Sequence, residues 1–177
     1  MKHLISTGKN GRSRSIAQRP PAIRISRRFS APSEHVFDAW LDPNIAGKWL
    51  FATALHPMTH VEIDARVGGA FRFAERREGE IIEHTGEYVE IVSPRRLVFA
   101  LSMEDHWYVT TRVTVEITPL KTGCELTLVH EDVPPHYADH TEGRWTGILY
   151  GLGVTLDSHP GIQDPDRPVG DEPTGGQ

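Results

Sequence analysis

The feature that most constrains this chain is a change of period. From His60 to His130 apolar residues recur at every second position, and from Trp145 they recur on one helical stripe. Val61, Ile63, Ala65 and Val67 alternate with His60, Glu62, Asp64 and Arg66. Gly68-Gly69 interrupts the run, and Phe71 and Phe73 resume it, which reads as a hairpin. Ile81 to Val92 gives another strand, with Val89 and Ile91 in phase, ended by Pro94. Leu97, Phe99, Leu101 and Met103 follow, then Trp107, Val109, Val113, Val115 and Ile117, and last Cys124, Leu126, Leu128 and His130. Short turns join most of these segments, so the sheet is predicted to be mainly antiparallel.

Before the alternating region, Ile23 to Phe29 reads as a half-buried strand. Ala31-Pro32-Ser33-Glu34 reads as a helix start, with Val36, Phe37, Trp40 and Leu41 on one face. Asp42-Pro43 stops that helix, and a second short one spans Asn44 to Leu50. A long helix is predicted from about Asp139 to Asp157, with Asp139 and Glu142 in a capping-box relation. Its residues Trp145, Ile148, Leu149, Leu152 and Leu156 lie within about 100° of arc. The predicted class is therefore α+β: a curved sheet of six or seven strands wrapped around a long C-terminal helix, with two short helices after the first strand.

Charge marks the edges of this domain. The net charge of the 177 residues is −5, but residues 1–21 carry five basic groups and no acid. Residues 158–177 hold Asp164, Asp166, Asp171 and Glu172 against Arg167. Both ends lack periodic apolar residues, so a basic N-terminal tail (1–21) and an acidic C-terminal tail (158–177) are expected to be disordered around a domain at 22–157. The basic tail shows no amphipathic face, which favours a plain tail over a transit peptide. No run approaches the roughly 20 apolar residues of a membrane span. The acidic balance disfavours nucleic acid as partner. Cys124 is the sole cysteine, so no internal disulfide forms, and a reducing cytoplasmic setting is expected.

The order strand, two helices, many strands, long helix resembles the helix-grip arrangement of the START-like (SRPBCC) superfamily. Six segments carry a closer likeness: Ala31-Pro32 with Val36 and Trp40, Val67-Gly68-Gly69 with Phe71, Gly86 to Ile91, Pro94 to Phe99, Leu126 to His130, and Glu142-Gly143 with Trp145 and Leu149. On these the chain resembles the bacterial branch named after the C-terminal domain of the activator of the heat-shock-protein-90 ATPase. The resemblance implies a cavity under the last helix for a lipid, polyketide-like or aromatic molecule. It implies no fixed catalytic set, and the family name does not license a chaperone role; no cofactor is expected, and a stress-response setting is. Fold alone leaves function open.

Phe71, Phe73, Phe99, Trp107, Leu128, Trp145 and Leu149 are placed to wall such a cavity, or simply to fill the core. His130 ends an apolar alternation and is expected to point inward. Glu87 follows Gly86, where a bulge would turn it inward as well, and a buried Glu–His pair can act as acid and base. His136 and His140, with His130 nearby, have no third ligand at a recognised spacing, so no metal site is expected. Cys124 reads as a small buried hydrophobe. Gly143, Gly147 and Gly151, flanked by Tyr150 and Val154, line the helix face opposite the apolar stripe. Each glycine costs a helix about 1 kcal/mol relative to alanine, and close approach of a second copy would explain them. Three functions follow: binding of a small hydrophobic molecule, an enzyme acting on one through His130 and Glu87, or a co-chaperone-like interaction module.

Overall fold

The computed structural model describes residues 22–53, 55–103 and 109–158, with the side chains of Met103 and Val109 left out. The elements follow the predicted order: β1 (Ile23–Phe29), α1 (Ser33–Asp38), α2 (Pro43–Trp49), β2 (Met58–Ile63), β3 (Ala70–Arg77), β4 (Glu80–Val92), β5 (Arg96–Met103), β6 (Val109–Pro119), β7 (Cys124–Glu131) and α3 (Ala138–Ser158). The strands form one antiparallel sheet in the order β1-β7-β6-β5-β4-β3-β2. Only β1 is out of sequence, paired with β7 from Ile23 opposite His130 to Phe29 opposite Cys124. Helix α3 crosses the sheet and packs against β1 and α2. No helix among the described residues is long and apolar enough to cross a membrane.

The buried face of α3 is Thr141, Trp145, Leu149, Leu152 and Thr155, with Ile148 and Leu156 half-buried beside it. Opposite them stand Leu97, Phe99, Val113, Val115, Leu126 and Leu128, all essentially inaccessible. Trp40 of the α1–α2 turn joins the two layers, its ring 4.7 Å from Trp49, 6.1 Å from Phe99 and 6.4 Å from Trp145. Burying side chains of this size removes most of their apolar area from water, worth ~1.5–3 kcal/mol for each Leu or Phe. Gly86 is required where it is. A β-carbon there would sit 2.3 Å from Phe71 Cζ and 2.2 Å from the Ala100 carbonyl oxygen, so the aromatic ring lies directly over the glycine.

Four local expectations are corrected. β2 ends at Ile63, and Ala65 and Val67 lie exposed in the connection to β3. There the Arg66 N–H donates to the Asp64 carbonyl and the Gly69 N–H to the Arg66 carbonyl, closing a turn that interrupts the strand earlier than its apolar pattern does. The bulge in β4 falls at Val89, between Tyr88 opposite Phe99 and Glu90 opposite Val98, and not at Gly86. Val89 is consequently exposed rather than in phase with the core. Asp139 lies inside the first turn of α3 and not at its cap, because a single 3-10 turn at Pro135–Tyr137 leads straight into the helix.

Candidate functional site

Phe71, Phe73 and Phe99, expected to wall a cavity or to fill the core, pack into the core. Phe71 packs edge-on to Phe73 at 5.9 Å and to Phe99 at 5.5 Å. With Leu128 and Leu149 they belong to one continuous buried cluster. They serve as core because Trp40 of the α1–α2 turn and Trp49 of α2 join the same buried cluster, filling space that a sheet and helix alone would leave. Trp107 lies outside the described residues. An open groove runs along α3, and a small recess opens where the inward positions of β3 and β4 become polar.

In β3 the alternation Phe71, Phe73 continues inward to Glu75 and Arg77. Glu75 is completely buried, and Arg77 Nη2 donates to its Oε1 at 2.6 Å. His84, on β4 opposite Phe73, has Nε2 3.7 Å from the same Oε1, beyond hydrogen-bond reach. Its ring stacks on Phe51 at 4.5 Å with an interplanar angle of 17°. Burial first, then the charge of Arg144, pushes its pKa down to about 4 against the pull of Glu75, so His84 is neutral.

His130 points inward as expected, but both its nitrogens are taken. Trp145 Nε1–H donates to Nδ1 at 3.0 Å. Nε2 must then carry the proton, and it donates to Thr111 Oγ1 at 2.8 Å. Thr111 passes its own proton to the Leu101 carbonyl at 3.1 Å. Burial lowers the His130 pKa to about 4. Its neutral ring is thus a bonded core group. Glu87, exposed on the opposite face of the sheet, pairs across strands with Ala70 and Ala100. Tyr88 takes the inward position, the bulge comes after it, and the expected His130–Glu87 acid–base pair is not assembled. His136 and His140 are exposed while His130 is buried. Among the described residues no three His, Cys, Asp or Glu side chains converge as a metal centre requires. Cys124 is buried, and burial pushes its thiol pKa up, away from a reactive thiolate.

Two open volumes meet at this end. A recess of about 30 Å³, enough for one water molecule, is lined by Phe51, His84, Leu101, His130, Thr141, Arg144, Trp145 and Ile148. Outside it runs a groove of about 590 Å³ between α3 and the segment Lys48 to Thr53. Gly143, Gly147, Gly151, Tyr150 and Val154 form its α3 side, and Arg77 and Arg144 lie at its inner end. Phe51, Arg144 and Ile148 border both spaces. Phe51 holds a left-handed backbone, φ 62°, uncommon for a bulky residue. A β-carbon on Gly143 or Gly147 would meet nothing within 4 Å, while one on Gly151 would touch Trp49 Cβ at 3.6 Å. A third groove of about 380 Å³ at the far end of α3 is rimmed by Asp38 and Asp42, and no lysine or arginine lines it.

Sequence reasoning missed Glu75, Arg77, His84, Thr111, Phe51 and Arg144. One signal was available: Glu75 keeps the phase of Phe71 and Phe73, which puts a carboxylate on the core face.

The sequence pattern of the family described as activator of Hsp90 ATPase homolog 1-like protein matches residues 30–157. The chain belongs to this family. A solved structure from Chromobacterium violaceum is 30% identical, with TM-score 0.68 over 77% of this chain and 96% of that one. The AHSA1-like protein of Aeromonas hydrophila shares the fold at 22% identity and TM-score 0.68, over 78% of this chain and 93% of its own. A Rhodobacter sphaeroides protein does so at 24% and 0.67, over 77% and 93%. No curated protein matches the chain. The helix-grip fold of this AHSA1-like, START-like chain, with its two short helices after the first strand, is thereby established, and the fold is one commonly used to bind ligands.

Proposed function

We propose that this domain binds a small, largely apolar molecule in the groove between α3 and the Trp49–Thr53 segment, its inner end directed at the recess by His84. The observation that carries this reading is the shared border. Phe51, Arg144 and Ile148 line both the groove and the recess, so one molecule lying on the glycine face of α3 reaches a polar end inside the fold. A volume of about 590 Å³ falls within the range of ligand pockets. A ligand of roughly 20–25 heavy atoms at ~0.3 kcal/mol per atom binds with micromolar affinity. The proposed site lies along the glycine face of α3, whereas the sequence pointed to a cavity between that helix and the concave face of the sheet.

The test is titration with flavonoids and fatty acids, following fluorescence of Trp49 and Trp145 at the two ends of the site. Native mass spectrometry of the freshly purified protein looks for a co-purified molecule. Gly147→Leu sets its β-carbon in open space, projects the rest of the side chain into the groove, and is expected to abolish the signal. No saturable change in the wild type, or binding that survives in Gly147→Leu, overturns the reading. A homodimer through Gly143, Gly147, Tyr150, Gly151 and Val154 would use the same face and compete with the ligand, so sedimentation with and without ligand separates the two. The enzyme reading loses its acid–base pair with Glu87. For the co-chaperone-like reading, the exposed large apolar residues are spread over turns, β4 and α3, with Val67 and Leu120 far from Tyr150 in the chain.

A further inference from the structure

Three buried polar atoms around one carboxylate have no hydrogen-bond partner among the described residues: Glu75 Oε2, Arg77 Nε and His84 Nε2. Buried polar atoms are nearly always paired, and an unpaired one is costly, so three in one cluster mark a place where something else binds. The cluster stands at the junction described above. Arg77 lines the groove and His84 lines the recess, while Glu75, buried behind both linings, holds its Oε1 2.6 Å from Arg77 Nη2 and 3.7 Å from His84 Nε2. Phe51 forms the wall that the groove shares with the recess and covers the His84 ring. Its left-handed backbone (φ 62°) is the kind of strain that gathers at ligand clamps.

Resting on the ligand site above, we propose that Glu75, Arg77 and His84 anchor an uncharged hydroxyl group at the inner end of the bound molecule. The charges decide the class. An anionic head would set its lone pairs against Glu75 Oε2, which has no proton to offer. A cationic head would meet Arg77 and Arg144. A hydroxyl carries a donor and an acceptor on one atom: its O–H donates to Glu75 Oε2, and its lone pairs accept from Arg77 Nε–H and from His84 in the tautomer protonated at Nε2. Satisfying groups that are otherwise left buried and unpaired discriminates strongly against an analogue lacking the hydroxyl.

The experiment measures 2-naphthol, naphthalene and 2-naphthoate binding to the full chain by calorimetry and NMR. Wild type is expected to hold 2-naphthol at least tenfold more tightly than either analogue. Glu75→Gln is expected to erase that preference while leaving naphthalene affinity unchanged. Should Glu75→Gln fail to fold, Arg77→Lys keeps a cation beside Glu75 but removes the Nε–H donor, and at least a fivefold loss of preference is expected. Equal binding of 2-naphthol and naphthalene, both blocked by Gly147→Leu, overturns the anchor and leaves the ligand site standing. Binding of none of the three overturns both. A crystal structure of the 2-naphthol complex in which a water molecule, and not the ligand hydroxyl, bridges Glu75 Oε2 and Arg77 Nε also overturns the anchor.

Discussion

Trp145 donates its indole N–H to Nδ1 of His130 across the interface between α3 and the sheet, at 3.0 Å. That one bond fixes the imidazole tautomer, and the tautomer fixes the rest of the chain of donors through Thr111 to the Leu101 carbonyl. Helix α3 is therefore docked by a directional contact as well as by apolar burial. Apolar packing alone tolerates sliding of a helix over a sheet. A buried indole N–H with a single acceptor does not, because a displaced Trp145 leaves two polar groups unpaired.

Trp145→Phe keeps most of the apolar volume and removes the donor. It is expected to cost about 2–4 kcal/mol, the sum of an unsatisfied His130 nitrogen and a small void. Thr111→Val, which removes the next link at nearly constant volume, is expected to cost about 1–3 kcal/mol. Urea unfolding of both variants and of the double variant checks this. Because the two act in one network, the double variant should lose less than the sum. Strict additivity would mean that the donors do not work as a chain.

Acid should unfold the protein early. His84 and His130 have folded pKa values near 4, against 6.5 in the open chain. Between those values the unfolded state binds protons that the folded state refuses, so stability is complete above pH 6.5 and falls as pH drops toward 4. Each histidine contributes at most about 3 kcal/mol to that loss. NMR of the histidine ring nitrogens at pH 5.5 should show His130 neutral and protonated at Nε2. An imidazolium signal from His130 at that pH contradicts the geometry.

The two glutamates considered for the site separate sharply. Glu75→Ala leaves the half-buried Arg77 cation beside an empty space and is expected to cost about 3 kcal/mol. Glu87→Ala, at an exposed position on the other face, is expected to change stability by less than about 0.5 kcal/mol and ligand affinity not at all. Thermal melts and the fluorescence titration read both. Loss of binding in Glu87→Ala would return that residue to the site.

What the sequence disclosed follows from what periodicity encodes. Phe71 and Phe73, Leu97 to Leu101, and Leu126 to His130 repeat at two because each strand buries one face, and all of them are inside. Trp145, Leu149 and Leu152 repeat at helical spacing for the same reason. Position along a face is legible in this way; partnership between faces is not. The acceptor of the Trp145 indole lies fifteen residues earlier, and no local pattern names it. Glu75 was hidden by its neighbours, since Glu75-Arg76-Arg77-Glu78-Gly79-Glu80 reads as a solvated turn although its first residue is the continuation of a buried stripe. Glu87 stays on the outer face because the register runs unbroken through Gly86 to Tyr88, and a bulge at Val89, three residues past the nearest glycine, leaves no mark in composition.

The glycine face of α3 gives the last prediction. Gly143 and Gly147 have open space where a β-carbon would stand, and Tyr150 and Val154 beside them are 61% and 50% exposed. Among the described residues nothing lies within 4 Å of such a β-carbon, so Gly147→Ala adds a methyl without a clash there. The substitution restricts the unfolded chain and raises helix propensity, together about 1 kcal/mol, or a melting temperature higher by roughly 3–5 °C for a domain of this size. A methyl also narrows the groove where the ligand is proposed to lie, so binding should weaken modestly in Gly147→Ala and vanish in Gly147→Leu. If instead two copies meet through this face, both substitutions shift sedimentation toward monomer, and the stability gain disappears at concentrations where the wild type is dimeric. The melts, the titrations and sedimentation on the same three proteins therefore separate a groove kept open for a ligand from a face kept smooth for a partner. A higher melting temperature with unchanged binding and unchanged sedimentation would leave the glycines with neither role.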